Sequence, residues 1–459
     1  MHNIDKIAYI LITFTLEYQT DQDYIIHRDP TWTSYPKISG AKMKKRIAIA
    51  GAGVRALCFG RAIIGRVKDY SEMVALYDTN DARMDGFNNL LKTNIPKFTD
   101  FNEMVRVTKP DTLIVCVPDY AHPELIEMGF AAGLDIITEK PMAMNREGIE
   151  RIRAAELKYG KEVTVAFNMR FAPYSAAIKQ VMKSNPIGKI TNVNAEWMID
   201  RCHGQQYFHR WHADISKSGG LLVHKATHHF DLLNWFLDDE PETVYAVGSL
   251  EQFGSKGPFH GERCTGCPHA KKCWAVLEST LEDGDLNPGS DGEIFNELYF
   301  KAEHIDGYFR DQCCFNPKID IYDTMNLMIK YKSGTIVNYQ ETAYAPVAGY
   351  KIVFNGTNGR VEVGTYNRGA RPDNMGEEDY IRIFNGTNRK NITMKELAFV
   401  EENTPHGGGD NRLYDLLLGA GGEDPLGQQA GSRAGALSAL IGITGNESIA
   451  SGNVEKINF

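Results

Sequence analysis

One stretch restricts the fold of this chain more than any other. From Arg46 it reads RIAIAGAGVRALCFGRAII, a short apolar run, a turn carrying Gly51 and Gly53, then helix-compatible sequence. Strand, tight turn and helix in that order leave the first amides of the helix unpaired at the positive end of its dipole, where an anion is stabilised. The pattern G-x-G-x-x-A, Gly51 to Ala56, lets backbone approach a pyrophosphate. A second apolar run, MVALYDTN, ends at Asp78, 27 positions after Gly51. A carboxylate there accepts hydrogen bonds from both hydroxyls of an adenosine ribose and repels a 2'-phosphate, so NAD is favoured over NADP. Further strand-like runs, TLIVCVP (112–118) and LDIITEKP (134–141), are joined by the helix-like HPELIEMGFAAG. Alternating strands and helices predict an α/β fold with an N-terminal doubly wound parallel sheet, and ligands to such sheets bind at the carboxyl ends of the strands. Those ends are Gly51, Asp78, Pro118 and Glu139-Lys140-Pro141.

Composition agrees with a globular chain of two domains: 459 residues, 42% hydrophobic and 24% charged. A formal charge of -9 offers no basic field for nucleic acid or an anionic membrane. Eight cysteines are too sparse for a disulfide scaffold of this size and point to the cytoplasm. Residues 1–42 carry a ten-residue apolar run, IAYILITFTL, too short to span a bilayer and without the flanks of a signal peptide. Met43 looks like a natural start, and the first 42 residues are expected to be a poorly ordered extension.

Further on, SGGLLVHKATHHFDLLNW (218–235) packs His224, Lys225, His228 and His229 into six positions. Two histidines four apart share a helix face, as in zinc proteases. The glutamate that such a pair needs after its first histidine is replaced by Lys225, whose charge disfavours a dication. Proton transfer beside an organic cofactor fits these residues better, since an unperturbed pKa near 6.5 suits exchange with an alcohol.

Taken in order, GAGVRA, VCVPDYAHPELIEMGFAAGLDIITEKP, FNMRFAPY and GGLLVHKATHHFDLLNW resemble the Gfo/Idh/MocA family, which includes glucose-fructose oxidoreductase and inositol dehydrogenase. The resemblance implies a Rossmann domain (43–165) and a substrate-binding α/β domain (166–459) with a large open, mainly antiparallel sheet, often an oligomer contact. It implies hydride transfer between nicotinamide and a carbon of a sugar or cyclitol. Expected cofactor contacts are Gly51, Gly53, Val54, Arg55, Asp78, Pro118, His122, Glu139, Lys140 and Asn168. Lys140, of the E-K-P motif, would touch the reacting hydroxyl, and His228 matches the family's catalytic histidine. The dehydrogenases' aspartate is replaced by His224 and their glycine by Ala226, which alters the acid/base set and makes His224 a third catalytic candidate.

The resemblance implies that FNMRFAPY approaches nicotinamide and substrate, which makes Arg170 and Tyr174 substrate candidates. Tyr207, Arg210, Trp211 and His212 of HGQQYFHRWHADISKSGG join them, because aromatic faces stack on sugar CH groups while polar groups select hydroxyls. His406 and Asp410 of HGGGDNRL form a weaker pair. The additional histidines also fit an NAD-dependent glycoside hydrolase that oxidises, eliminates, hydrates and reduces; a non-catalytic NAD-binding sensor is the third possibility. In RCTGCPHAKKC, Cys264, Cys267 and Cys273 approach metal-ligand spacing. With Cys313 or Cys314, or His269 within the cluster, as the fourth ligand they would hold a structural zinc clamping an insertion at about 255–315; an iron-sulfur cluster or uncoordinated thiols are the alternatives. Expected partners are a small carbohydrate and further copies of the chain.

Overall fold

The computed structural model describes residues 13–17, 25–29, 43–277, 292–366, 379–386, 388–393 and 408–459. Within the first 42 residues two short strands, β1 (Thr13–Glu17) and β2 (Ile25–Asp29), pair antiparallel. The expected disorder of that extension otherwise lies outside the described residues, as does His406.

The first sheet is built from β3 (Lys45–Ala50), β4 (Ser71–Tyr77), β5 (Lys97–Phe98), β6 (Thr112–Val115), β7 (Asp135–Thr138) and β8 (Val163–Val165). They lie in the order β8-β7-β6-β3-β4-β5, all parallel. This is the doubly wound order, with its switch point between β3 and β6. Strands buried on both faces read as continuous apolar runs, and β6 is buried throughout. Asn80, Asp100 and Asn145 cap the helices that follow β4, β5 and β7 by accepting amide hydrogen bonds, which fixes where each helix starts.

The second sheet contains β9 (Ile190–Asp200), β10 (Pro241–Ser249), β11 (Thr324–Tyr331), β12 (Ile336–Ala345), β13 (Gly349–Gly356), β14 (Gly359–Tyr366), β15 (Tyr380–Asn385), β16 (Asn388–Thr393) and β18 (Glu455–Lys456). Its order is β16-β15-β14-β13-β9-β12-β11-β10-β18, and only the β9–β12 pair is parallel. Burial alternates strictly along β11, as period-two patterning requires of a sheet with one face on a core. Hairpins join β11 to β12 across residues 332–335 and β13 to β14 across Thr357-Asn358.

The chain then returns to the first sheet. β17 (Ala430–Gly431) adds an antiparallel edge to β8, and the helix Ser432–Ser451 buries Ala436, Ala439, Leu440 and Ile443 in the core under that sheet. This glycine-rich helix packs closely against its neighbour: a Cβ on Gly442 would strike the Leu222 carbonyl. The irregular insertion occupies the long connection between β10 and β11.

Candidate active site

The glycine-rich turn follows β3. Gly51 has φ +93°, and a Cβ there would lie 2.5 Å from the Cys116 carbonyl oxygen, so only glycine fits between the two central strands. Gly53 caps the helix Val54–Ile64 without a side-chain hydrogen bond of its own, and the first helix amide, that of Val54, points out of the turn to the Tyr299 hydroxyl at 3.2 Å. At the end of β4, Asp78 accepts from the Ala52 amide at 2.7 Å and the Asn80 amide at 2.8 Å. Burial raises its carboxyl above the ordinary value, against the opposing pull of Arg83 and these amides. Each carboxylate oxygen keeps a second lone pair for a ribose hydroxyl. Close backbone, an outward amide and a buried carboxylate suit a dinucleotide.

Three other cofactor candidates, Arg55, Glu139 and Asn168, form one network with Asp410. Arg55 donates to Glu139 at 2.8 Å and to Asp410 at 3.1 Å, and the Asn168 amide donates to Asp410 at 2.9 Å. Asp410 thus joins the end of β7 to the turn Asn168–Phe171. His122 is buried with Nδ1 2.9 Å from the Pro141 oxygen and Nε2 3.0 Å from the Val117 oxygen. That geometry gives it a holding role between two strand-end loops, with neither ring nitrogen left for a cofactor.

Beyond the strand ends stands a group drawn from both domains. Lys140 Nζ donates to the His224 carbonyl at 3.0 Å. His224 Nδ1 lies 2.6 Å from Oδ2 of Asp119, a residue of the loop after β6. Burial, then the charge of Lys140, hold His224 well below the usual histidine range. Burial also lowers the Lys140 ammonium, opposed by Asp119 and Tyr207, and raises Asp119, opposed by Lys140. A carboxylate beside the ammonium, with neutral His224 donating from Nδ1, keeps the cluster electrically balanced.

Around His224 sits an aromatic wall. Its ring centroid is 4.1 Å from His212, 5.6 Å from Tyr207 and 5.7 Å from Trp211. Trp211 stacks on His212 at 3.8 Å, and Arg210 lies over Tyr207. Burial and the neighbouring Arg210 and Lys140 keep His212 neutral, and its buried Nδ1 has no hydrogen-bond partner. His228 is buried one turn beyond His224, edge-on to Phe167 at 6.1 Å.

Two substrate candidates are engaged by structural partners. Both Nε and Nη2 of Arg170 bind Asp231, at 2.7 and 2.6 Å, and Nη1 donates to the Gly427 carbonyl. Tyr174 is held likewise, its hydroxyl facing the carbonyls of Gly364 and Tyr380 at 2.8 and 2.9 Å. For the zinc there is no support: among the described residues no group of three or more His, Cys, Asp or Glu is placed to hold a metal. Cys267, Cys273 and Cys313 do lie near Cys264, whose thiol is raised first by burial and then by Asp311 and these cysteines. Cys273 and Cys313 also pack into the apolar core of the second domain, and the Cys313 sulfur accepts from the Gly261 amide at 3.4 Å. Asp119 was missed by sequence reasoning, although it directly follows Pro118 at a strand's ligand end.

Two family models cover most of the chain. Residues 45–167 match the GFO_IDH_MocA model, described as an oxidoreductase family with an NAD-binding Rossmann fold, and residues 179–452 match its C-terminal alpha/beta domain. This chain belongs to the Gfo/Idh/MocA family. It is therefore an NAD-binding oxidoreductase with the two-sheet architecture its sequence implied. YteT of Bacillus subtilis (strain 168) is 34% identical over 87% of this chain and 94% of its own length. An inositol 2-dehydrogenase of Serratia proteamaculans (strain 568) is 28% identical over 55% of this chain and 68% of its own. Among solved structures, levoglucosan dehydrogenase in complex with NADH and levoglucosan aligns with TM-score 0.62 at 15% identity, covering 90% of this chain and 100% of that one. The WlbA dehydrogenase from Bordetella pertussis, with NADH and UDP-GlcNAcA, aligns at 0.61 and 18%, covering 91% and 98%. At these identities the structures attest the fold. In the described residues no helix is long and apolar enough to cross a membrane.

Proposed function

We propose that this protein oxidises or reduces a hydroxyl-bearing carbon of a sugar or sugar derivative. The observation that carries the reading is the Lys140, Asp119 and His224 cluster facing a wall of Tyr207, Trp211 and His212. Aromatic faces take sugar CH groups, while the polar edges select hydroxyls. Bound NAD supplies the hydride acceptor, or as NADH the donor. Lys140 polarises the reacting hydroxyl. As the C–H electron pair leaves with the hydride and the C=O bond forms, the hydroxyl proton passes to a neutral imidazole. His224, oriented by Asp119, is that base, with His228 the alternative assigned by family registration. Gly51, Gly53, Val54, Asp78 and Glu139 hold the cofactor, and Arg55 and Asn168 brace Glu139 and Asp410 beside it. Domain limits near residue 165, a cytoplasmic location and homo-oligomers joined through the open sheet belong to the same reading; light scattering above the 51.4 kDa of one chain tests the last.

Purified protein with NAD, screened against free sugars and glycosides while NADH and released aglycone are followed together, tests the function. NADH accumulation with a sugar supports a dehydrogenase. Aglycone release without net NADH replaces it with the glycoside hydrolase. NAD binding with neither product across the panel would sink both in favour of a sensor.

A further inference from the structure

The insertion between β10 and β11 reaches across the molecule to the glycine-rich turn. Its residue Tyr299 accepts a hydrogen bond from the Val54 amide at 3.2 Å. Val54 opens the helix after the turn, and its amide is one that a dinucleotide phosphate would take. We propose that residues 293–310 are part of the cofactor site: Tyr299 is a phosphate ligand, and Asp306 sets the preference for a ribose 2'-hydroxyl over a 2'-phosphate. The inference rests on NAD lying at this turn.

A tyrosine hydroxyl both accepts and donates. When a phosphate oxygen takes the Val54 amide, the Tyr299 hydroxyl stands beside that oxygen and turns its own proton to it. The ring is placed for this. Arg310 lies 4.9 Å and Arg83 5.8 Å from its centroid, and Tyr308 meets it edge-on at 5.9 Å. Leu298, fully buried, is anchored in the core under the helix Val54–Ile64. Gly86 leaves room for the segment, since a Cβ there would strike the Glu297 carbonyl.

At the ribose end the segment binds the residues that follow Asp78. The Asn80 side chain donates to the Ala302 carbonyl at 3.0 Å, and Arg83 Nε to the Leu298 carbonyl at 3.0 Å. Arg83 Nη2 donates to Asp306 at 2.6 Å, while its Nη1 stands 3.6 Å from Asp78. A 2'-phosphate at Asp78 would need Arg83 as its counter-cation. Asp306 already engages that cation and adds a second negative charge nearby, so NADP is rejected twice over.

Fluorescence titration and stopped-flow displacement of NADH and NADPH from the full chain test the proposal without any substrate. Tyr299→Phe is expected to weaken NADH about tenfold and speed its release, the scale of one charge-assisted hydrogen bond. Asp306→Ala is expected to improve NADPH relative to NADH by about tenfold. Lys271→Ala, exposed on the same insertion but outside residues 293–310, controls for general disturbance and should match wild type. Wild-type affinity and release rate in Tyr299→Phe, with an unchanged NADPH-to-NADH ratio in Asp306→Ala, would overturn the inference. Wild-type protein that binds neither nucleotide would instead refute the cofactor reading beneath it.

Discussion

At the residue scale, the informative substitution is His224, and the structure explains how the site accommodates it. The family resemblance implies an aspartate at that position, and here a carboxylate comes from the loop after β6, Asp119, at 2.6 Å. Asp119→Asn keeps the shape while removing the charge that orients the imidazole and supports its protonated form. It is expected to lower kcat about 10²-fold with little change in KM, measured with whichever sugar the screen identifies. The pH dependence follows from the direction of the His224 shift. A base whose pKa is depressed stays unprotonated further into acid, so the acid limb of kcat/KM for oxidation should fall below histidine's ordinary 6.5. A limb at or above 6.5 would remove His224 as the base. Lys140 was legible in the sequence because a proline-terminated strand end fixes its place on the sheet edge. Asp119 was not, because spacing along a chain says nothing about which loop of one domain meets which helix of another.

At the element scale, the same ambiguity ran the other way for Arg170. A buried arginine in a motif near the nicotinamide reads as a ligand, yet its partner, Asp231, stands 61 positions later on the helix Thr227–Leu237. The pair ties that helix, which carries His228, to the turn Asn168–Phe171. Both side chains are buried, at 7% and 2% exposure, so removing one strands the other's charge without solvent. Arg170→Leu is expected to destabilise the protein by about 3–5 kcal/mol, seen as a large fall in Tm, and Arg170→Leu with Asp231→Leu by less. A stable Arg170→Leu enzyme with only a raised KM would restore Arg170 as a substrate contact. The sheets themselves were readable, since continuous apolar runs and period-two alternation record whether a strand is covered on two faces or one. The cysteine array was legible only in part: Cys264, Cys267, Cys273 and Cys313 do come near one another, but spacing alone cannot distinguish the ligands of a metal from thiols that pack as small apolar groups.

At the scale of the whole molecule, the helix Thr227–Leu237, which carries His228, is joined to the second sheet by a buried polar chain. His229 Nδ1 lies 2.7 Å from the Tyr339 hydroxyl, which donates to Glu341 at 2.5 Å. Trp197 stacks on His229 at 4.1 Å, closing the chain from water. Burial pushes the Glu341 carboxyl from 4.5 up to about 7, opposed by Tyr339 and Lys225. Between those values the folded protein keeps a proton that the unfolded chain loses, so this carboxyl lowers stability as pH rises from 4.5 to 7. The full effect is at most about 3 kcal/mol. Histidines 212, 224 and 229, all depressed by burial, act with the opposite sign, because the unfolded chain takes up protons below 6.5 that the folded one refuses. The net profile of the wild type therefore mixes the two. Glu341→Gln isolates the carboxyl: the Tm difference, variant minus wild type, is expected to grow from pH 5 to pH 8 and then level off. A difference independent of pH would mean that Glu341 is ionised throughout, and that Lys225 rather than burial governs the interior of this interface.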